Sequence, residues 1–184
     1  NERVAIMAKL WGGRFKKGLA KAAEQLSYSI ESDKRLYSYD IQVNIAHVKA
    51  LFKADILNQD EHAKLCSGLE SLKNEFEETY LDQNLPDEDI HSCVERLMVE
   101  KCGDLGKKLH TGKSRNDQVA TDVRLLVLDE LDQIDALLVT YIKALHSLAS
   151  DHVSLVFPGF THLQIAQPVL FSHHILAHVE KMMR

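Results

Sequence analysis

Apolar residues recur at three- and four-residue steps along most of the chain, which is the pattern of amphipathic helices. Three such helices are predicted before residue 110, and each begins at a residue that can act as an N-cap. Asp40 is predicted to cap the first helix and Asp87 the third. Asn58 and Glu61 have the spacing of a capping box at the start of the second helix. Gly103 is the predicted end of the third.

A fourth helix is predicted to be much longer than the others. From Asp117 to about Ser150 the chain has neither Gly nor Pro, and its apolar residues mark one helix face. About 34 residues at 1.5 Å each give a helix of roughly 50 Å, which needs other long helices to cover that face. A final helix is predicted to start near Ser172, and residues 155–157 are the only short strand candidate.

These elements predict an all-α fold with two domains. Residues 1–116 would form an N-terminal helical domain, and residues 117–184 the beginning of a second domain built on long helices. Met7 looks like a natural start, so residues 1–6 are interpreted as upstream or leftover sequence. Because the chain stops at Arg184 within a helical pattern and without a cap, we expect the second domain to be truncated.

The composition is that of a folded protein in a reducing compartment. Of the 184 residues, 45% are apolar, the net charge is −5, and no basic block suggests a nucleic-acid partner. We expect no membrane association, because no apolar run approaches the roughly 20 residues of a membrane span and no signal peptide is evident. The three cysteines form no Cys-x-x-Cys motif, so we interpret them as free thiols and expect a cytoplasmic location.

The polar run at residues 110–122 immediately precedes the long helix and carries many hydrogen-bond donors. Gly112 allows backbone conformations that turn amides toward a ligand, and a helix start adds free N–H groups. Further donors come from the side chains of Thr111, Ser114, Arg115 and Asn116. The run is therefore suited to a di- or tricarboxylate ligand. The alternative is a polar loop that only caps the helix, with Asn116 or Asp117 as the cap.

A second polar cluster occupies residues 158–168. His162 follows Thr161, and an imidazole can transfer a proton near neutral pH. Gln164 and Gln167 could hold the loop or a ligand. The alternative is a structural histidine in a turn.

The segment at residues 87–91 is acidic and ends in a histidine. Capping is the simplest role for Asp87. The sequence alone does not decide whether Asp89 and His91 support the fold or take part in function. Farther along, His174 and His178 are one helical turn apart, but no carboxylate completes a familiar metal motif, so no metal site is expected.

Four motifs, in this order and spacing, resemble argininosuccinate lyases of the fumarase and aspartase superfamily. They are KLWGGRF at residues 9–15, DEDIHS at 87–92, GKKLHTG at 106–112 with SRNDQ at 114–118, and PGFTHLQ at 158–164 with AQP at 166–168. The resemblance covers residues 9–184. It implies a delta-crystallin-like scaffold whose second domain is a long-helix bundle of the fumarase and aspartase type.

The resemblance also implies the reaction, which splits argininosuccinate into fumarate and arginine without a metal or an organic cofactor. It assigns proton transfer to His162, substrate binding to Ser29, Asn116 and Thr161, and a further carboxylate contact to Arg115. Asp89, His91 and Gln167 are expected to support the pocket. The family is a homotetramer with each site assembled from three subunits. Its third active-site region, a mobile loop with a catalytic Ser, does not occur in residues 1–184. We therefore expect this chain to be inactive alone.

Two departures from the family pattern concern charge. Lys113 stands where the family usually has Arg, which keeps the charge but not the bidentate fork, and Ile165 also replaces a common Arg. Two alternatives stay open: a non-catalytic, crystallin-like helical protein on the same scaffold, and a related fumarate-forming lyase such as adenylosuccinate lyase or fumarase.

Overall fold

The computed structural model describes residues 20–184, so the KLWGGRF motif lies outside the described residues. The all-α prediction is confirmed, since helices dominate and the described residues add one small hairpin. The helices are α1 (Lys21–Ser27), α2 (Ile30–Asp33), α3 (Tyr37–Lys53), α4 (Gln59–Glu75), α5 (Ile90–Cys102), α6 (Arg115–Asp151) and α7 (Phe171–Met182); 3-10 segments at Lys34–Leu36 and Gly103–His110, and a π-helical segment at Phe76–Tyr80, lie between them. The hairpin strands are β1 (Val156–Thr161) and β2 (Gln164–Leu170).

The chain forms two compact units, the first ending at Val123 and the second running from Arg124 to Arg184. The division falls within α6. The domain boundary expected between residues 116 and 117 stays a prediction.

The core of the first unit lies between α3, α4 and α5. It consists of apolar side chains that share one face of each helix: Ile41, Val48 and Leu51 on α3, Leu65, Leu69 and Leu72 on α4, and Ile90, Val94, Leu97 and Met98 on α5. Phe76 is fully buried and stacks on Tyr37 with ring centroids 4.8 Å apart. Burial of one such side chain contributes about 1.5–3 kcal/mol, so this core fixes the positions of α3 and α5.

Two local signals of helix boundaries are confirmed. Asn58 and Glu61 form the reciprocal capping box at the start of α4, with backbone-to-side-chain bonds of 2.9 and 3.1 Å. Gly103 follows the last residue of α5 with φ +66°, a left-handed conformation that favours glycine.

Two predicted caps are wrong. Asp40 lies inside α3, which begins three residues earlier at Tyr37, and it is fully buried. Asp87 does not cap α5; the cap is Asp89, whose Oδ1 accepts from the Ser92 N–H at 2.6 Å. Neither carboxylate bonds a free helix N–H. Asp40 is held by His91 and Gln118, which are distant along the chain, and Asp87 is held by Arg96, nine residues along on α5 itself.

The second unit contains the rest of α6, the β1–β2 hairpin and α7. The strand prediction at residues 155–157 finds only the start of β1, because Pro158, Gly159 and Pro168 suggest loops. In the hairpin Pro158 lies opposite Pro168, and a bulge follows between Pro158 and Phe160. An antiparallel pair of edge strands tolerates proline where its missing N–H would face solvent. Among the described residues no helix is both long and apolar enough to cross a membrane.

Candidate functional site

The start of α6 is capped by its own polar residues. Ser114 is the cap: its Oγ accepts from the Asn116 N–H at 3.3 Å, and its own N–H donates to Asp117 Oδ1 at 3.1 Å. The alternative that named Asn116 or Asp117 as the cap is therefore wrong about the residue. Gly112 precedes this turn with φ +71°. The side chain of Asn116 is exposed, so its amide is available to a ligand.

Arg115 is held by side chains of the segment that leads into α5 and of α5 itself. Its Nη1 lies 3.3 Å from Glu95 Oε1 and donates to Gln118 Oε1 at 2.9 Å. Its Nε lies 3.6 Å from Asp89 Oδ2, and Nη2 donates to Ser92 Oγ at 3.4 Å. Two protein carboxylates thus already neighbour the guanidinium, an arrangement that favours anchoring of α6 over a free fork for substrate.

Ser29 lies against the segment that carries Asp89. Its backbone N–H donates to the Glu88 carbonyl at 2.9 Å, and its hydroxyl donates to Asp33 Oδ2 at 2.6 Å. Asp33 Oδ1 in turn accepts from the Ile90 N–H at 3.1 Å. Burial raises the pKa of the Asp33 carboxyl above its usual value, although these two hydrogen bonds oppose the shift.

Asp40, His91 and Asp122 form a buried charged cluster that joins three helices. His91 Nδ1 donates to Asp40 Oδ1 at 2.8 Å and lies 3.2 Å from Asp122 Oδ2. The side chain of His91 is 2% exposed and both carboxylates are fully buried. We call this group the charged cluster; it brings one residue each from α3, α5 and α6 together.

The charged cluster shifts the pKa of each member. Burial disfavours the imidazolium of His91, but the hydrogen bonds with Asp122 and Asp40 and the charges of Asp40 and Asp89 outweigh it and raise the pKa to about 9. Burial raises the pKa of Asp122 to about 6, against the hydrogen bond with His91. Burial also opposes ionisation of Asp40, yet the hydrogen bond and charge of His91, with the Gln118 bond, hold its pKa below the usual value. Near neutral pH the cluster is therefore an imidazolium between two carboxylates.

These three side chains could also supply metal ligands, since their donor atoms lie within 4.8 Å of one another. The 2.8 Å separation of His91 Nδ1 and Asp40 Oδ1 fits a hydrogen bond. Two tetrahedral ligands of one zinc ion would be about 3.3 Å apart. The geometry therefore fits a proton between these two atoms better than an ion.

In the second unit, Thr161 and His162 lie at the tip of the hairpin. Thr161 pairs with Gln164, so His162 and Leu163 are the two central turn residues, with φ +48° and +63°. Both positive values are typical of the type I′ turn that closes tight hairpins. Thr161, His162 and Gln167 are all exposed. The predicted site residues thus fall into two groups: Ser29, Asp89, His91, Arg115 and Asn116 in the first unit, and Thr161, His162 and Gln167 in the second.

The sequence motifs assign no site role to four polar residues that organise the first group: Asp33, Asp40, Gln118 and Asp122. Gln118 ends the SRNDQ motif and Asp122 ends the polar run at residues 110–122. Only one local signal points to any of them. Gln118 and Asp122 are four residues apart and so share one helix face, where both are buried.

A lyase family model matches residues 13–184 of the chain. The chain belongs to the lyase family. It is 51% identical over 176 residues to an argininosuccinate lyase of Caldanaerobacter subterraneus subsp. tengcongensis, a match that covers 96% of this chain and 39% of that protein. It is 49% identical over the same length to an argininosuccinate lyase of a Thermoanaerobacter species. The resemblance inferred from the four motifs is confirmed, and the chain spans about two fifths of the length of these relatives.

Solved structures agree with the fold of this chain. An EDDS lyase in complex with formate matches with a TM-score of 0.68 and 28% identity, over 86% of this chain and 30% of that chain. A fumarate lyase or delta crystallin of Brucella melitensis matches with a TM-score of 0.69 over 85% of this chain and 40% of that chain. Its identity is 16%, so it supports the fold alone.

Proposed function

We propose that this chain forms the N-terminal part of an argininosuccinate lyase, the enzyme of arginine biosynthesis that eliminates fumarate from argininosuccinate. The observation that carries the proposal is the 51% identity to an argininosuccinate lyase over 96% of the chain. We further propose that the complete protein acts in the cytoplasm as a homotetramer without metal or organic cofactor.

The chemistry explains why donors and a proton-transfer group are needed. A base takes a proton from the carbon next to a carboxylate, and negative charge builds up on that carboxylate. The electron pair then forms the C=C bond of fumarate as the C–N bond breaks, and an acid protonates the departing guanidino nitrogen. In our proposal the free N–H groups at the start of α6 and the exposed amide of Asn116 bind a substrate carboxylate. Thr161 provides a further hydroxyl donor, and Ser29 does so when its hydroxyl turns from Asp33 Oδ2 to the substrate.

His162 is the proposed proton-transfer group. Its exposed position at a hairpin tip, in a turn with two positive φ angles, presents the imidazole to a ligand rather than to a core. Asp89, His91 and Gln167 support the pocket, and Arg115 either contacts a carboxylate or anchors α6. We propose that the two groups of residues contribute to different sites, each completed by other subunits, because α6 with its 37 residues is about 55 Å long.

The test is a steady-state assay of the full-length protein with argininosuccinate, adenylosuccinate and malate, followed by the ultraviolet absorbance of fumarate. We expect turnover of argininosuccinate at a kcat/KM far above that for the other two. Turnover of adenylosuccinate or malate alone would favour a related lyase. Absence of turnover with all three would favour the non-catalytic, crystallin-like alternative.

A further inference from the structure

The donor segment, which we define as residues 113–118, is tied at both ends to one buried carboxylate. At its C-terminal end, Gln118 Nε2 donates directly to Asp40 Oδ1. At its N-terminal end, Lys113 Nζ donates to Asn44 Oδ1 at 2.6 Å. The Asn44 amide then donates to Asp40 Oδ2 at 3.0 Å. Both oxygens of a single side chain on α3 therefore hold the segment.

Asp40 is itself rigidly placed. It is fully buried, lies in the first half of α3, and its Oδ1 also accepts from His91 Nδ1. Asn44 is held one turn along the same helix, because its amide also donates to the Asp40 carbonyl at 2.9 Å. A fully occupied, buried carboxylate has little freedom to move, so it is a fixed reference point for the residues bound to it.

Between the two ties, the donor segment is held less firmly. Ser114, Asn116 and Asp117 are exposed, and their recorded bonds are to each other or within α6. Arg115 adds lateral contacts to Glu95 and Ser92 on α5 and to Asp89 just before it. Loss of the Asp40 carboxylate would leave the local cap, the Arg115 contacts and the Lys113–Asn44 bond in place. It would remove the direct tie at Gln118 and one of the two bonds that hold the Asn44 amide.

We propose that Asp40 is a positioning residue. Through its buried hydrogen bonds it orders the donor segment and so sets the direction of the ligand-binding groups of that segment. The structural part of this inference stands on the hydrogen bonds alone. Its consequence for turnover rests on the proposed function, because it concerns the carboxylate that Asn116 and the start of α6 are proposed to bind.

Hydrogen exchange of the full-length protein, followed by mass spectrometry, tests the structural part. In Asp40→Asn the side chain keeps its shape but gains an amide that cannot accept from all its present donors. We expect backbone amides of residues 112–118 to exchange about tenfold faster or more, since the substitution weakens the tie at Gln118 and the support of Asn44 that resist local opening. Asp87→Asn is the matched control. Asp87 is also buried and forms a 2.7 Å salt bridge with Arg96, but its side-chain hydrogen bonds do not reach the donor segment.

Equal exchange of residues 112–118 in Asp40→Asn and Asp87→Asn would overturn the inference. If Asp40→Asn does not fold, Lys113→Met decides instead, because it cuts only one tie at a half-buried position. We expect faster exchange in Lys113→Met and wild-type exchange in Lys113→Arg, which keeps a donor for Asn44. Unchanged exchange in Lys113→Met would overturn the inference in that case.

Kinetics then test the functional part. We expect kcat/KM for argininosuccinate to fall about tenfold to a hundredfold in Lys113→Met and to recover in Lys113→Arg, because misplacing a binding group by about 1 Å costs up to about a hundredfold. Inactivity of the wild-type protein on argininosuccinate would overturn the proposed function, and hydrogen exchange would still decide the role of Asp40. Faster exchange with unchanged kcat/KM would overturn the functional part alone.

Discussion

At the scale of the residue, His162 combines an unusual backbone with an exposed side chain. A non-glycine residue with positive φ is uncommon, although histidine is enriched there, and Leu163 beside it is a stronger outlier. A left-handed conformation costs roughly 1–2 kcal/mol at a residue with a Cβ. The side chain of Leu163 is 93% exposed, so packing within this chain does not offset the cost. The strain favours a functional use of this turn.

The substitution His162→Asn tests the role of the imidazole without changing the backbone conformation of the turn. Asn tolerates the left-handed conformation, so His162→Asn keeps the turn but removes the titratable group. In the full-length protein we expect kcat on argininosuccinate to fall about a hundredfold to ten-thousandfold, the range of general acid or base catalysis. His173→Asn, an exposed histidine on α7, is the control and should keep near-wild-type kcat. A wild-type kcat in His162→Asn would exclude it as the proton-transfer group.

At the scale of the element, the charged cluster makes the packing of α3, α5 and α6 depend on pH. The pKa of His91 is raised from 6.5 to about 9 in the folded protein. Its stabilising contribution is therefore fully present below pH 6.5 and is lost as the pH rises through 9. The shift corresponds to about 3 kcal/mol. The raised pKa of Asp122, about 6, gives stability that is lost between pH 3.8 and 6, below the window of His91.

Urea unfolding at a series of pH values tests this dependence. We expect the free energy of unfolding of the wild-type protein to fall by up to about 3 kcal/mol between pH 6.5 and 9. His91→Gln alone would leave two buried carboxylates without their cation and raise the pKa of Asp122 further, so it is combined with Asp122→Asn. The unfolding free energy of the double variant should be lower at pH 6.5 and nearly flat over the same window. His173→Gln should keep the wild-type slope. If the slope persists in the double variant, the charged cluster is not its source.

A close backbone approach ties the 3-10 segment Gly103–His110 to α5. A Cβ on Gly106 would lie 2.7 Å from backbone atoms of Met98 and Val99, which cannot move without shifting the helix. We expect Gly106→Ala to lower the unfolding free energy by about 1–3 kcal/mol, the usual cost of overpacking. At Gly68 the nearest atoms, at 2.9 and 3.0 Å, are side-chain ends of Met98 and Cys102. Because these can move, and alanine favours a helix by about 1 kcal/mol, Gly68→Ala should be close to neutral. Equal losses in urea unfolding would contradict this reading.

The sequence predicts those elements whose causes are local. Apolar spacing finds the long helix, and the capping box at Asn58 and the stop at Gly103 are both correct. Asp40 is misassigned because its partners, His91 and Gln118, are 51 and 78 residues away. The hairpin is largely missed because proline and glycine suggest loops, whereas an isolated pair of strands tolerates them. The motifs identify the exposed residues that are proposed to bind a ligand. The buried residues that hold them come together only when α3, α5 and α6 pack, so the sequence does not reveal them.

At the scale of the whole molecule, α6 presents an apolar face that residues 20–184 leave open. Ile134 is 49% exposed, Leu137 69% and Tyr141 50%, and these residues recur at three- and four-residue steps on one face. Contiguous exposed apolar surface of this kind marks interfaces with other protein. It fits the proposed homotetramer, in which long helices of several subunits would cover one another.

Sedimentation of the full-length protein over a range of concentrations tests this proposal together with shared active sites. We expect a tetramer in the wild-type protein. The double variant Ile134→Lys and Leu137→Lys places two charges on the apolar face without breaking the helix, so it should dissociate into smaller species. Leu26→Lys is the control, since Leu26 is 89% exposed on α1, outside this face, and should stay tetrameric. If each site needs several subunits, turnover of argininosuccinate should fall in proportion to the loss of tetramer. Full activity in a dissociated double variant would contradict shared sites, and a monomeric wild-type protein would contradict the tetramer itself.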